Sequence, residues 1–248
     1  MTDPLPEAPH VPADRPTDGP GSSAHMREWL HTRPDTYSPR DVARARMAQV
    51  TREAIAELLS TTADEDDLVA AADLVGRAVE LLASRPHGRP YEGRAEGSLR
   101  DGSNSFVDHS PFVGAMNPLA PPIDVRVGED SVVGTVTFGP PYEGPPGCVH
   151  GGFIAAAFDE LLGFTQSLSG SPGMTARLEV DYRSPTPLLK ELRLEGRLTG
   201  VDGRKIHTTA TLHQGDRLCA EASGLFVSMR PEVFSRLLAV RPGGAGQS

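Results

Sequence analysis

Cysteine is nearly missing from this 248-residue chain: Cys148 and Cys219 are the only two, and neither lies in a CxxC or other metal-binding spacing. A disulfide framework is therefore not what organises the fold, and a reducing compartment is the simplest setting. Runs of Lys and Arg are also missing, and the formal net charge is -9 at pH 7. Neutralising a phosphate backbone takes a basic surface, so no nucleic-acid partner is expected, although a local basic patch for a small phosphorylated ligand is compatible with this charge. No apolar run approaches membrane-spanning length, and the opening MTDPLPEAPHVPADRP has no basic segment followed by an apolar one. The expectation is a soluble, cytoplasmic protein with no membrane span. The apolar fraction, 38%, is diluted by 26 Gly and 23 Pro, many of them near the two ends. A disordered fraction is expected beside an ordered part large enough to bury a core.

What the chain does have is the stretch GCVHGGFIAAAFDELLG, Gly147 to Gly163. A glycine-rich turn, with His150-Gly151-Gly152, opens into a helical run. The start of a helix leaves backbone N–H groups without intrahelical partners, and glycines there let an acceptor approach closely. Gly152, Ala156, Asp159 and Gly163 recur at helical spacing, so one acid sits on a face of small residues. The opposite stripe, Ile154, Phe158, Leu161, Thr165 and Leu168, suits packing on a sheet. One face builds core and the other leaves a groove.

Around this stretch the chain divides into four parts. Residues 1–24 are Pro, Asp, Gly and Ser with little to bury, and a disordered tail is expected. Residues 25–105 form a helical extension and linker. Trp29 and Leu30 could dock, a helix starts at Ser38-Pro39-Arg40-Asp41 and runs to Ser60, and a capping box at Thr62 to Glu65 starts another that ends before Pro86. An antiparallel helical hairpin is expected, serving as a structural cap or dimer arm, with a partner-binding or regulatory arm as the alternative. The acidic link Asp64 to Asp67 disfavours a DNA-reading helix pair. Arg85 to Ser105 reads as linker.

Residues 106–230 carry the strand signals. Two alternating segments, Ile123 to Val127 and Val132 to Phe138, precede the central helix. Four more follow it: Met174 to Tyr182, Leu189 to Thr199, Ile206 to Leu212, and Leu218 to Met229, with a turn at Gly200 to Gly203. In the first of these, Met174, Ala176, Leu178 and Val180 alternate against Thr175, Arg177, Glu179 and Asp181. Two strands, one helix and four strands cannot be a doubly wound fold. The order fits an α+β domain in which a curved antiparallel sheet of about six strands surrounds one central helix. Residues 231–248 read as a short helix, begun by Arg230-Pro231, and a tail.

His150-Gly151-Gly152, then Asp159 on the same helix, then Met174-Thr175-Ala176 opening the next strand, resembles the hotdog-fold acyl-CoA thioesterases. The likeness is to the phenylacetate-degradation type with the HGG signature, and within it to the subgroup of human thioesterase superfamily members 4 and 5. It extends to Gly144-Pro145-Pro146-Gly147, Tyr182 to Leu188, Gly203-Arg204-Lys205, Glu221-Ala222-Ser223 and Leu225-Phe226, and it covers roughly Asn117 to Met229. The resemblance implies a homodimer, or a dimer of dimers, with active sites shared between subunits. It implies Asp159 as the catalytic acid, Gly151 as the N–H that polarises the thioester carbonyl, and Thr175 as a hydroxyl delivered from the partner subunit. Where another branch places an asparagine before the signature, this chain has Glu143-Gly144-Pro145-Pro146.

On these residues Asp159 would act as general base for water or attack directly to form a mixed anhydride. Thr175 would hold the water or orient the carboxylate, and the Gly151 N–H would stabilise the oxyanion. His150 is a candidate base, or a loop-fixing side chain. An acid in so apolar a helix needs a reason to tolerate desolvation, which favours a catalytic role for Asp159. Glu160 points about 100° away from Asp159, which argues against paired carboxylates. Cys148 reads as a packed thiol. Gly152 and Ala156 would line the acyl groove, and Arg183, Arg204 and Lys205 are candidates for the CoA phosphates. No cofactor and no metal are expected. A non-catalytic acyl-CoA sensor and a hotdog hydratase are the alternatives, the latter disfavoured because Leu161 to Gln166 contains no histidine.

Overall fold

The computed structural model describes residues 37–85, 105–171 and 173–228. The expected N-terminal tail, the Trp29 region, most of the linker and the C-terminal helix lie outside the described residues.

Helix α1, Pro39–Ser60, begins as its sequence dictates: Ser38 is the N-cap, its side chain accepts the Asp41 N–H, and proline occupies the first turn. Helix α2, Glu65–Ala83, is capped by Asp64, whose side chain accepts the Asp67 N–H. The expected Thr62 cap is therefore displaced by two residues, to a carboxylate that also meets the positive end of the helix dipole. The expected helical hairpin does not form. Thr61 and Asp64 are both extended, the two helices do not pack along their lengths, and α2 buries none of its residues. Its Leu74, Val75, Val79 and Leu82 stand exposed.

Helix α1 docks instead on the segment ahead of the sheet. Ala48 is buried, and the Arg52 guanidinium donates to the carbonyls of Asn117 (2.9 Å) and Ala115 (3.3 Å). That segment begins with the one-turn helix α3, Ser105–His109.

The sheet comprises β1 (Asp124–Val127), β2 (Ser131–Thr137), β3 (Gly173–Tyr182), β4 (Glu191–Asp202), β5 (Lys205–Gln214) and β6 (Arg217–Ser228). Its order is β1-β2-β4-β5-β6-β3, and every pairing is antiparallel. The expected turn at Gly200 is instead part of β4, which carries a register shift between Leu198 and Gly200. Helix α4, Gly151–Gln166, lies across the sheet.

Alternation supplies the floor beneath α4. Val132 and Val136 of β2, Leu192 and Leu194 of β4, and Ile206, Ala210 and Leu212 of β5 are all buried. The whole expected inner stripe of α4, Ile154, Phe158, Leu161, Thr165 and Leu168, is buried on it. Each of the large apolar members contributes about 1.5–3 kcal/mol. The approach is close: a Cβ at Gly196 of β4 would stand 2.2 Å from Thr165 Oγ1. Thr165 satisfies its own hydroxyl by donating to the Leu161 carbonyl at 2.8 Å.

Strand β3 is, with β1, one of the two edges of the sheet among the described residues: it pairs only with β6, and most of its residues are exposed.

Candidate active site

The loop that delivers the chain to α4 is held from several sides. A 3-10 turn, Pro140–Tyr142, sets the Tyr142 ring edge-on to Phe138 before it (5.4 Å) and Phe153 after it (5.0 Å). Burial pushes the Tyr142 phenol up, against an opposing pull from the Arg52 charge. Helix α1 therefore braces the loop through both Arg52 and its contact with this turn. The His150 N–H donates to the Tyr142 carbonyl and the Val149 N–H to Thr186, each at 2.9 Å. The Gly147 N–H donates to Glu143 Oε1 at 2.6 Å, so Glu143 closes the loop where another branch would have an asparagine. A Cβ at Gly144 would stand 2.7 Å from His150 Cα, which makes glycine obligatory there.

His150 is the N-cap of α4, with φ -63 and ψ 132, and its Nδ1 accepts the Gly152 N–H at 3.0 Å. The side chain thus caps the helix, a contact of the kind that a loop-fixing role needs. The neighbouring Gly151 N–H has no hydrogen-bond partner among the described residues. Tyr182, at the far end of β3, donates its hydroxyl to the Gly151 carbonyl at 2.8 Å and ties the turn to the edge strand.

Two turns further along α4, Asp159 stands exposed on the open face with Gly152, Ala156 and Gly163, as the spacing predicts. Thr175 Oγ1 donates to Asp159 Oδ1 at 2.9 Å within the same chain. This corrects the expectation that the hydroxyl comes from the partner subunit. The cause is a β-bulge. Strict alternation sets Thr175 on the face opposite Leu178 and Val180, but the β3–β6 register shifts between Thr175 and Arg177. The extra residue, Ala176, turns Thr175 onto the helix-facing side shared by Leu178, Val180 and Tyr182.

Asp159 is exposed, and the desolvation expected of it falls instead on its half-buried neighbour Glu160. Burial raises its carboxyl above the usual range, the Ser110 hydroxyl that donates to it opposes this, and the Asp159 charge adds to the rise. Ser110 Oγ in turn accepts the Phe112 and Val113 N–H groups, so Glu160 anchors the segment before β1 to α4. The two carboxylates diverge, as the helical angle requires.

The three candidate cations are not brought together. Arg183 follows Tyr182 and is engaged with Glu221 and Asp181. Arg204 and Lys205 occupy the opposite end of β5 and β6, where Arg204 Nε donates to the Ser228 carbonyl at 3.0 Å. Tyr182, next to Arg183, lies opposite Ala220 of β6 and Lys205 lies opposite Val227, about 23 Å apart at the rise of a strand. Cys148 is half-buried, and its backbone bridges to Pro187.

Three residues of the site are not singled out by the sequence reading, Tyr182, Ser110 and Gln166, and Glu160 enters it only as an improbable second carboxylate. Gln166 had a signal, since it continues the i, i+4, i+7 series of Asp159 and Gly163. Among the described residues no group of His, Cys, Asp and Glu is placed to hold a metal ion, and no helix is long and apolar enough to cross a membrane.

The thioesterase superfamily model matches residues 146–221, from the loop before His150 to the middle of β6. Acyl-coenzyme A thioesterase THEM4 of Xenopus laevis is 37% identical over 95 residues, 38% of this chain and 43% of that protein. The THEM4 of Mus musculus is 38% identical over 92 residues, 36% of this chain and 40% of that protein. The match thus spans about two fifths of the length of these curated relatives. A solved thioesterase superfamily protein, 34% identical, superposes with a TM-score of 0.65 over 79% of this chain and 97% of its own. The fold is the hotdog fold, and the chain belongs to the thioesterase superfamily. The likeness to that solved structure covers more of the chain than the sheet and α4 alone.

Proposed function

We propose that the protein is an acyl-CoA thioesterase that works as a homodimer, each site combining Asp159 of one copy with Gly151 of the other. The observation that carries this reading is the Thr175–Asp159 pair on an otherwise small-residue face of α4. Thr175 occupies Oδ1 and leaves Oδ2 without a hydrogen bond among the described residues.

Asp159 and Gly151 cannot serve one thioester within a single chain. They lie eight residues apart on one helix, about 12 Å along its axis, whereas a reacting carbonyl must be about 3 Å from both base and oxyanion donor. Two α4 helices laid antiparallel about a two-fold axis near Ala155 bring each Gly151 to the other copy's Asp159. Gly152 and Ala156 on that face permit close approach of the helices. The free edge of β3 supports the same arrangement, because an exposed strand edge is a template for pairing and two copies can join there across one axis.

In such a site the Gly151 N–H, aided by the helix dipole, stabilises the oxyanion that forms as the carbonyl is attacked. Asp159 either takes a proton from the attacking water or attacks the carbonyl carbon itself. In both routes the C–S bond breaks and CoA leaves as the thiol, with the free acid as the other product. His150 holds the turn that presents Gly151, and Tyr182 holds it from the carbonyl side. Arg204 and Lys205, exposed and without an ion pair among the described residues, suit the CoA phosphates better than the engaged Arg183.

Thiol release from short, medium, long and aromatic acyl-CoAs, with wild type and Asp159→Asn, tests the reading. The expected result is hydrolysis lost on substitution. Hydrolysis that persists in Asp159→Asn overturns the mechanism, and binding of acyl-CoA without turnover by the wild type would make the protein a sensor.

A further inference from the structure

The face of α4 that carries Asp159 runs on through Gly163 to Gln166, in steps of four and three residues. Nothing lies within 4 Å of a Cβ built at Gly163, so the helix leaves an opening just beyond the acid. Gln166 is the next residue on that face. The residue is 6% exposed, and its Oε1 is buried with no hydrogen-bond partner, alone in this respect among the described side chains. A Cβ at Gly173, the first residue of β3, would lie 3.0 Å from that oxygen, and two residues further on Thr175 bonds Asp159. One seam between α4 and β3 therefore holds the acid and, about 10 Å along the helix, an unsatisfied amide. A buried amide without a partner is costly, and an apolar side chain would line a purely apolar pocket without that cost.

We propose that Gln166 is a specificity residue for the far end of the acyl group. The preferred substrate carries a neutral hydrogen-bonding group, such as a hydroxyl, about 10 Å from the thioester carbonyl, and that group completes the Gln166 amide. The inference rests on the thioesterase reading. A primary amide both donates and accepts, so a hydroxyl satisfies it in either orientation. The wall beside it is Phe226 and strand backbone, which suits a neutral group better than a charged one. The pantetheine arm is not the partner: it must run out to solvent with its charged nucleotide, while Gln166 is sealed at the inner end.

Hydrolysis of ω-hydroxyacyl-CoAs is compared with that of unsubstituted acyl-CoAs of matching length, in wild type and Gln166→Met, with Gln166→Leu as a second variant should the first fail to fold. At one chain length the wild type is expected to prefer the hydroxylated member by about tenfold or more in kcat/KM, and the substitution to erase that preference. Absence of a preference at every length overturns the proposal. So does an equal loss on both substrates, which would put Gln166 on the pantetheine or in a purely structural role. Calorimetric binding of the same pairs to Asp159→Asn, with and without Gln166→Met, separates this from the thioesterase reading. If no acyl-CoA is hydrolysed, that reading falls, yet tighter binding of the hydroxylated member that depends on Gln166 still supports the subsite, and equal binding removes it.

Discussion

Thr175 Oγ1 and Asp159 Oδ1 are hydrogen bonded at 2.9 Å within one chain, and the contact exists because a bulge at Ala176 turns Thr175 inward. A carboxylate on an exposed helix face rotates freely unless something holds it. Here the edge strand fixes one oxygen and leaves the other without a hydrogen bond among the described residues.

Replacing Thr175 by Ala is therefore expected to lower kcat by about 10- to 100-fold, by releasing a group whose orientation the reaction needs. Thr175→Ser keeps the hydroxyl and restores most of the rate. Steady-state kinetics on one acyl-CoA decides it, and full kcat in Thr175→Ala would show that the hydrogen bond is incidental.

Glu160 gives a prediction about stability. Its folded-state pKa is raised, chiefly by burial, so the folded chain holds this proton more tightly than the unfolded one. The stability tied to that proton is whole below the ordinary carboxylate pKa and drains away as pH rises from there through the raised folded value. Glu160→Gln removes the titration and keeps an oxygen for the Ser110 hydroxyl. Its stability is expected to exceed that of the wild type at neutral pH, with the gap narrowing toward acid. Denaturant midpoints taken from about pH 4 to pH 8 measure this, and parallel curves for the two proteins would refute it.

Most of the fold was readable from residue order because two simple periods dominate it. The strands alternate and the helix keeps its stripe, so the six-strand sheet, the buried Ile154–Leu168 stripe and the open Gly152–Asp159–Gly163 face all follow from spacing. What spacing missed is local or distant. The bulge at Ala176 breaks the period by one residue, and nothing in Met174 to Tyr182 announces it. Tyr182 meets Gly151, and Ser110 meets Glu160, across 31 and 50 residues of chain, contacts set by topology alone. The helical hairpin does not follow from the pattern because an apolar stripe signals that a face has a partner without saying which: α1 docks on the loop before the sheet, and α2 is uncovered among the described residues.

The Gly151 N–H can be deleted cleanly. It is the first residue of α4, where proline is well tolerated, and His150 before it already has the extended ψ of 132 that a following proline requires. The N–H has no partner among the described residues, so no hydrogen bond seen there is lost. A Cβ there would meet the end of the Tyr182 ring at 3.2–3.4 Å, a contact that needs only a slight shift. Gly151→Pro is expected to fold while losing about 10²–10³ in kcat. Gly151→Ala, which makes the same contact but keeps the N–H, is expected to lose far less. Equal losses in the two variants would mean that sterics at Tyr182, not the N–H, account for the effect.

The shared site makes a last prediction that single variants cannot. Asp159→Asn and Gly151→Pro are each inactive as homodimers in this scheme, because both sites of each dimer lack one component. When the two proteins are unfolded together and refolded as a mixture, about half of the dimers are mixed. In a mixed dimer one site receives both substitutions, and the other receives an intact Asp159 from the Gly151→Pro chain and an intact Gly151 from the Asp159→Asn chain. About a quarter of the wild-type activity should return, on the statistics of random pairing in a two-fold dimer. A site built within a single chain predicts no recovery at all, since every chain in the mixture is defective. The 12 Å of helix between the two residues is what makes the outcomes differ: it is too long for one carbonyl to bridge, and two antiparallel helices cancel it.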